Sequence, residues 1–490
     1  MTQPTAGNPL QPPPGCPAHQ GAHQGAHPRQ APEGGSGLPM LYGPDFAADP
    51  EPTYRRLRET GPVAWVEIAP GVTAMVATSY GSVLKIVHSP NFTKDSRRWR
   101  ALNEGKVPMD TPVLPMMMYR PSLLFADDTA QNQPHTRLRA AIDDSWGRVD
   151  PQSLRDYIEQ AADRLIDVFA RRGEADLVGE YAEQLPLLVF TRLFGAPTPM
   201  VDRMATACAR MIDAEGPVAQ QASADLAQCL GELVHLKRAN PGADVTTWML
   251  EHPSALTDEE MVHQMVVLIG AGTVPTSTWT ANALRLLLTD DRFAGNLSGG
   301  GTPVTDALDE VLWNQSPMAN YSMHYGEFDE ELDGVLIPAG VPVLISHAMA
   351  NTDPALVAEQ RRLSGNRAHL AFSAGPHTCP AQDEARVIAT AGIEKILDRL
   401  PEMEITVPVE ELTWRPGPFH RALNSLPVRF PPESVLLHSD ETRGDSRWNP
   451  DSAPYGSTPQ DVTSTVRPPD SASRGRRRWW SSLVAWWHGQ

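Results

Sequence analysis

Cysteine is scarce in this chain: four residues, Cys16, Cys208, Cys229 and Cys379, stand far apart among 490, with no C-x-x-C pair. That spacing argues against a disulfide framework and against a zinc knuckle, and it suits a reducing cytoplasm. Long apolar runs are missing too. None approaches the ~20 residues that span a bilayer, and the N-terminus lacks the charged start and apolar core of a signal peptide. Positive charge is outnumbered, 41 Lys and Arg against 59 Asp and Glu, for a formal charge of −18. A body so acidic repels phosphate backbones, so no nucleic-acid partner is expected. No internal repeat is evident.

What is present divides the chain. Residues 1–38 are rich in Pro, Gly, Gln and His, with the run AHQGAHQGAH at 18–27, and carry too little apolar surface to fold. His19, His23 and His27 there offer at most a weak metal site; a polar low-complexity tail is the simpler reading. Residues 433–475, dense in Ser, Asp, Pro and Arg, read as a second disordered segment, and 476–490 as an Arg/Trp-rich end. Between them lies a body, 39–432, larger than a typical domain.

In that body the helical period dominates. SLRDYIEQAADRLIDVFARRG places Leu154, Ile158, Ala161, Leu165, Ile166 and Phe169 at three-and-four spacing and closes on Gly173. Further helices are predicted at 259–289, 304–314 and 381–399. Strand signals are shorter: PVAWVEIA, VTAMVAT, GVLIPAGVPVLIS at 334–346, and LPVRF at 426–430. The expected fold class is mainly α with a small β-sheet.

One cysteine has a specific setting. In HLAFSAGPHTCPAQDEAR, residues 369–386, Gly375 supplies a turn, Pro380 suits a first helical position, and Asp383 and Glu384 are acids at a helix start. Cys379 therefore sits at the positive end of a helix, where backbone N–H groups favour thiolate over thiol. A thiolate there is a nucleophile, a metal ligand or an inert buried group. His377 is close enough to act as a base, but no oxyanion or third-member signature accompanies it. The frame of Phe, Gly and His is too particular for an inert residue. An axial thiolate on haem iron, with Phe372 packed against the porphyrin, accounts for all of it.

Phe372, Gly375, His377, Cys379 and Arg386 form F-x-x-G-x-H-x-C with Arg seven residues on, which resembles the haem-binding loop of bacterial cytochrome P450 monooxygenases. The resemblance runs from LYGPDFAADPEPTYRRLRETGPV to WRPGPFHRALNSLPVRFPP. It implies the cytochrome P450 fold, haem b (iron protoporphyrin IX), and insertion of one oxygen atom from O2 into a small apolar substrate. Electrons would come from a ferredoxin and its reductase. In PHTRLR, His135 and Arg139 match a helical H-x-x-x-R that contacts the haem propionates, and they share a face four residues apart. The propionate-binding arginine after the SP turn aligns with His324. The methionines of PMMMYRP, within the pocket-forming segment 99–125, would give an adaptable apolar wall, or simply fill core.

The departures from the family are informative. Its Glu-x-x-Arg reads DEVLW here, with Glu310 kept and Trp313 in place of arginine, as in an atypical actinobacterial subgroup often encoded beside signalling GTPase-like proteins. A buried Glu310 would need another cation, Arg361 or Arg362, or would face water, while Trp313 would fill the vacated volume. The family's A-G-x-[D/E]-T-[T/S] reads Ala271, Gly272, Thr273, Val274, Pro275, Thr276. Both proton-relay side chains are replaced by groups that carry no proton, leaving Thr276 or a water as the expected relay. Pro275 should also fix a bend in the helix. Pro380 removes a backbone N–H beside the sulfur, which should lower the reduction potential of the iron.

These losses keep a second reading open: a haem protein that is peroxide-driven, or a regulatory partner in a signalling complex. At the end of the chain, Arg474, Arg476, Arg477 and Arg478 precede Trp479, Trp480, Trp486 and Trp487. That pattern suits peripheral contact with the inner face of a membrane rather than RNA or a docking partner.

Overall fold

The computed structural model describes residues 37–213, 217–294, 303–356 and 366–433. The main sheet uses β1 (Val63–Ala69), β2 (Val72–Ala77), β3 (Phe92–Thr93), β4 (Asn320–Gly326) and β5 (Pro342–Ser346), in the order β1-β2-β5-β4-β3. β1 and β2 form a hairpin closed at Gly71, whose φ of 73° suits glycine. β2 then pairs in parallel with β5, Met75 opposite Val343, and the other pairs are antiparallel. Every residue of β5 is buried, as expected of a central strand covered on both faces.

Helices make up the bulk. Those that build the site are α1 (Pro134–Trp146), α2 (Pro151–Phe169), α3 (Gln184–Leu193), α4 (Asp258–Thr289), α5 (Pro303–Asn314) and α6 (Gln382–Arg399). α1 and α2 each open on a proline, where the missing N–H costs nothing. α2 starts where the Asp150 carboxylate accepts from the Ser153 N–H at 2.8 Å, and it is followed by a 3₁₀ turn ending on Gly173 at φ 73°.

α4 begins with a capping box: Thr257 accepts from the Glu260 N–H, and the Glu260 carboxylate accepts from the Thr257 N–H. Apolar residues surround much of its length, and α3, α5 and α6 pack against it, so it is the central helix of the core. The α3 contact is close. A Cβ on Gly272 would lie 2.0 Å from Cζ of Phe190, so only glycine lets the two helices approach this far.

The mainly helical class with a small sheet matches expectation. Two details differ. α6 begins at Gln382 with Ala381 as its cap, so Pro380 lies before the helix and not in its first turn. β4 had no strand signal, because NYSMHYG lacks apolar alternation; covered on both sides, it follows neighbours and not a pattern. The His-rich run, the Arg/Trp-rich end and Arg361 and Arg362 lie outside the described residues.

Candidate functional site

The loop before α6 is built around Cys379. Its backbone N–H donates to the Phe372 carbonyl oxygen at 2.9 Å, and the Thr378 N–H and hydroxyl both reach the Gly375 carbonyl oxygen. Gly375 has φ 70°, and a Cβ there would meet the Val87 carbonyl oxygen at 2.6 Å, so left-handed backbone and lack of space both require glycine. The Ala381 N–H donates to the Cys379 sulfur. Burial nevertheless pushes the thiol pKa up, with the Ala381 N–H and the Arg139 charge opposing it.

Beside the loop lies a buried cluster of nitrogen donors. His377 Nε2 is 3.0 Å from Asp127 Oδ1, and the other Asp127 oxygen accepts from the Thr93 hydroxyl at 2.6 Å and the Lys94 N–H at 2.5 Å. Lys94 Nζ donates to the Ser322 hydroxyl, and its side chain is almost wholly buried, so desolvation brings its pKa down to about 8 against the pull of Asp127. The His135 ring lies 4.3 Å from the His377 ring.

His135 Nε2 and His324 Nδ1 are buried and have no hydrogen-bond partner among the described residues. Burial lowers the pKa of His135, His324 and His377, the last to about 4 despite Asp127. Buried imidazole nitrogens without partners, beside the Lys94 ammonium, leave polar capacity that a bound polar group would satisfy. The expected His135, His324 and His377 are thus brought together. Lys94 and Asp127 were not foreseen, since a lysine after a short strand carries no signal of its own.

Arg139 is placed differently. Its Nε donates to Asp143 at 2.8 Å and its Nη1 to the Thr378 carbonyl oxygen at 2.5 Å, so it braces the loop from behind. Between Arg139, Asp143, Trp146, Cys379, Asp383 and Glu384 an open depression of about 400 Å³ reaches the cysteine.

On α4, Ala271 is exposed in the middle of a buried helix, and Val267 and Pro275, one turn to either side, are partly exposed. This stripe is the open side of an otherwise buried stretch of α4. It runs toward Trp279, whose ring meets that of Phe372 at 5.7 Å, which joins α4 to the cysteine loop. Thr276 is not on the stripe. It is buried, and at ~100° per residue it points roughly 140° away from Ala271, toward the face where Gly272 meets Phe190. Pro275 does not end α4, which continues to Thr289. Met116 and Met117 are core residues, and the Met116 carbonyl oxygen accepts from the Tyr321 hydroxyl.

Glu310 is not a buried orphan. It is half-buried and accepts from Arg292 at 3.2 Å; the two arginines expected as partners, Arg361 and Arg362, lie outside the described residues. Trp313 is buried as expected, its Nε1 donating to the Asn366 carbonyl oxygen.

Sequence comparison decides the family. The chain is 30% identical over 411 residues to the cytochrome P450 monooxygenase PikC of Streptomyces venezuelae, covering 79% of this chain and 92% of that one. The chain belongs to the cytochrome P450 family. Cytochrome P450 107B1 of Saccharopolyspora erythraea is also 30% identical, over 80% of this chain and 97% of its own. Among solved structures, CYP154A1 of Streptomyces coelicolor superposes with a TM-score of 0.69 at 26% identity, over 80% of this chain and all of that one. No protein-family model matches the chain.

As a cytochrome P450 the protein is an oxidoreductase whose cofactor is haem, iron protoporphyrin IX. The residues present fit that group: one cysteine on a glycine-shaped loop, a helical stripe left open, and orphaned buried imidazole nitrogens.

Proposed function

We propose that this cytochrome P450 is a haem-thiolate monooxygenase in which Cys379 ligates the iron and one atom of O2 enters a small apolar substrate, with electrons from a ferredoxin and its reductase. The observation that carries the reading is the seating of Cys379, fixed by the Phe372 carbonyl, Gly375 and the Ala381 N–H beside the open stripe of α4. When bound, the haem supplies the oxygen-activating iron. The chain's own part is to hold and orient it. Lys94, His135, His324 and His377 would receive the propionates, Phe372 would pack beside the ring, and Arg139 would brace the loop through Thr378. Val267, Ala271 and Pro275 line the opposite wall with apolar surface that excludes water.

The relay positions favour a second reading. Val274 is fully buried and Pro275 carries no N–H, so the wall offers no side-chain proton. Turnover driven by peroxide, which needs no reductive activation of O2, is compatible with such a wall.

The test is NADPH consumption and product formation with a surrogate ferredoxin and reductase, set against hydrogen peroxide. Coupled product formation with the ferredoxin supports the monooxygenase. Product with peroxide alone supports the second reading. A reduced carbonyl adduct without the red-shifted Soret band of thiolate ligation would exclude both.

A further inference from the structure

The family's Glu-x-x-Arg is broken here, yet α5 remains joined to the cysteine loop by a different set of contacts. Asp309, one residue before Glu310, pairs with Arg386 of α6, Oδ1 to Nη1 at 2.8 Å, with both side chains mostly buried at 13% and 16% exposure. The Arg386 guanidinium lies 5.4 Å from the centre of the Trp279 ring. Trp279 Nε1 donates to the Leu308 carbonyl oxygen, again on α5, at 2.9 Å, and its ring meets Phe372 edge-on at 5.7 Å. The Phe372 carbonyl oxygen takes the Cys379 N–H. Charge, ring and backbone thus form an unbroken series from Asp309 to the cysteine.

We propose that Asp309 and Arg386, acting through Trp279 and Phe372, are the positioning residues that hold the Cys379 loop in this chain, in place of a network centred on Glu310. Glu310 is turned to the exposed Arg292, where an ion pair is screened and contributes little. Asp309 and Arg386 are shielded from water, so removing one strands the other's charge in the interior and frees the guanidinium from its ring. The pair touches neither the sulfur nor the iron. It acts by fixing where Phe372, and hence the Cys379 N–H, can lie.

The inference rests on Cys379 being the iron ligand, and the experiment separates the two ideas. In the haem-loaded full chain, two readouts are followed: the rate of haem transfer to excess apomyoglobin, and the fraction of the reduced carbonyl adduct with the thiolate-type Soret band. Wild-type protein without that band would refute the ligand assignment and not the positioning series.

With the band present, Asp309→Asn and Arg386→Gln should each speed haem loss by roughly 10–100-fold, the usual effect of removing an outer partner of a metal ligand, and should shift part of the band toward the thiol type. The double variant should be no worse than the worse single one, because both break one unit. Glu310→Gln should stay within about twofold of wild type. Asp309→Asn at the wild-type rate, additive losses in the double variant, or a Glu310→Gln loss as large as that of Asp309→Asn would each overturn the proposal. If both charge variants fail to fold by circular dichroism, Trp279→Phe decides, since it keeps a ring while giving up the Leu308 bond and the larger cationic contact. A severalfold faster haem loss supports the series, and an unchanged rate and band overturn it.

Discussion

Trp313 Nε1 donates to the carbonyl oxygen of Asn366 at 2.9 Å, and the same indole meets His369 edge-on at 5.7 Å. The residue standing where the family has arginine therefore anchors α5 to the stretch leading into the cysteine loop, by a neutral hydrogen bond and ring packing. Trp313→Phe should cost about 1 kcal/mol, the worth of one hydrogen bond, and Trp313→Ala about 3–5 kcal/mol through the cavity left behind. Trp313→Arg should also destabilise, because a guanidinium would enter a buried site. Thermal melts rank the three, and a raised melting temperature for Trp313→Arg would show that Glu310 turns inward.

The close approach of α3 and α4 makes Gly272 sensitive. Gly272→Ala puts a methyl group onto the Phe190 ring, which also packs edge-on against Trp146 and Phe194, and should destabilise by about 1–3 kcal/mol. Adding Phe190→Leu should return part of that loss. Urea unfolding of the single and double variants checks it, and strict additivity would contradict the contact.

Lys94 should make haem affinity depend on pH. Its pKa falls from an ordinary 10.5 to about 8 on folding without haem. Below about pH 8 folded and unfolded chains both hold the proton, so its contribution is flat; from about 8 to 10.5 only the unfolded chain holds it, so the haem-free protein gains stability as pH rises. Haem propionates favour the ammonium, so binding above pH 8 takes up a proton and affinity should fall by up to about tenfold per pH unit. Titration of the haem-free chain with haem from pH 7 to 9.5 reads the slope, and Lys94→Met should flatten it and weaken binding at pH 7.

Pro275 lies on the open stripe, whereas Val274 is buried, so the two relay positions are not equivalent. Pro275→Thr should return both a hydroxyl and the N–H that α4 lacks, lowering peroxide release per NADPH consumed. Val274→Asp should instead lower stability, by placing a carboxylate where water does not reach. An oxygen electrode with catalase, together with a melting curve, separates the two effects. Tight coupling in the unmodified protein with a substrate lacking polar groups would reveal another relay.

The fold was legible where one physical signal dominated. Apolar spacing gave α2 and α4, the latter to within a residue, and the runs PVAWVEIA and VTAMVAT gave β1 and β2 as strands. Cys379, His135 and His377 could be named because each stands in a motif, and His324 because it aligns with the family's arginine after the SP turn. Lys94, Asp127, Asp309 and Trp279 could not, because their roles arise from partners far along the chain, such as Lys94 with Ser322 and Asp309 with Arg386. For Thr276, alignment fixes its place in the chain, whereas the ~100° step of the helix fixes its direction.

The parallel pairing of β2 with β5 sets the order in which this protein can be made. Met75 emerges from the ribosome on the order of 270 residues before its partner Val343, which at ~5–20 residues per second is a delay of tens of seconds. Through that interval the edge of β2 that β5 will occupy stays unpaired, a template for pairing with other chains. Yield in a heterologous host should therefore respond more to slower initiation, lower temperature and holding chaperones than to mutations that stabilise the finished fold.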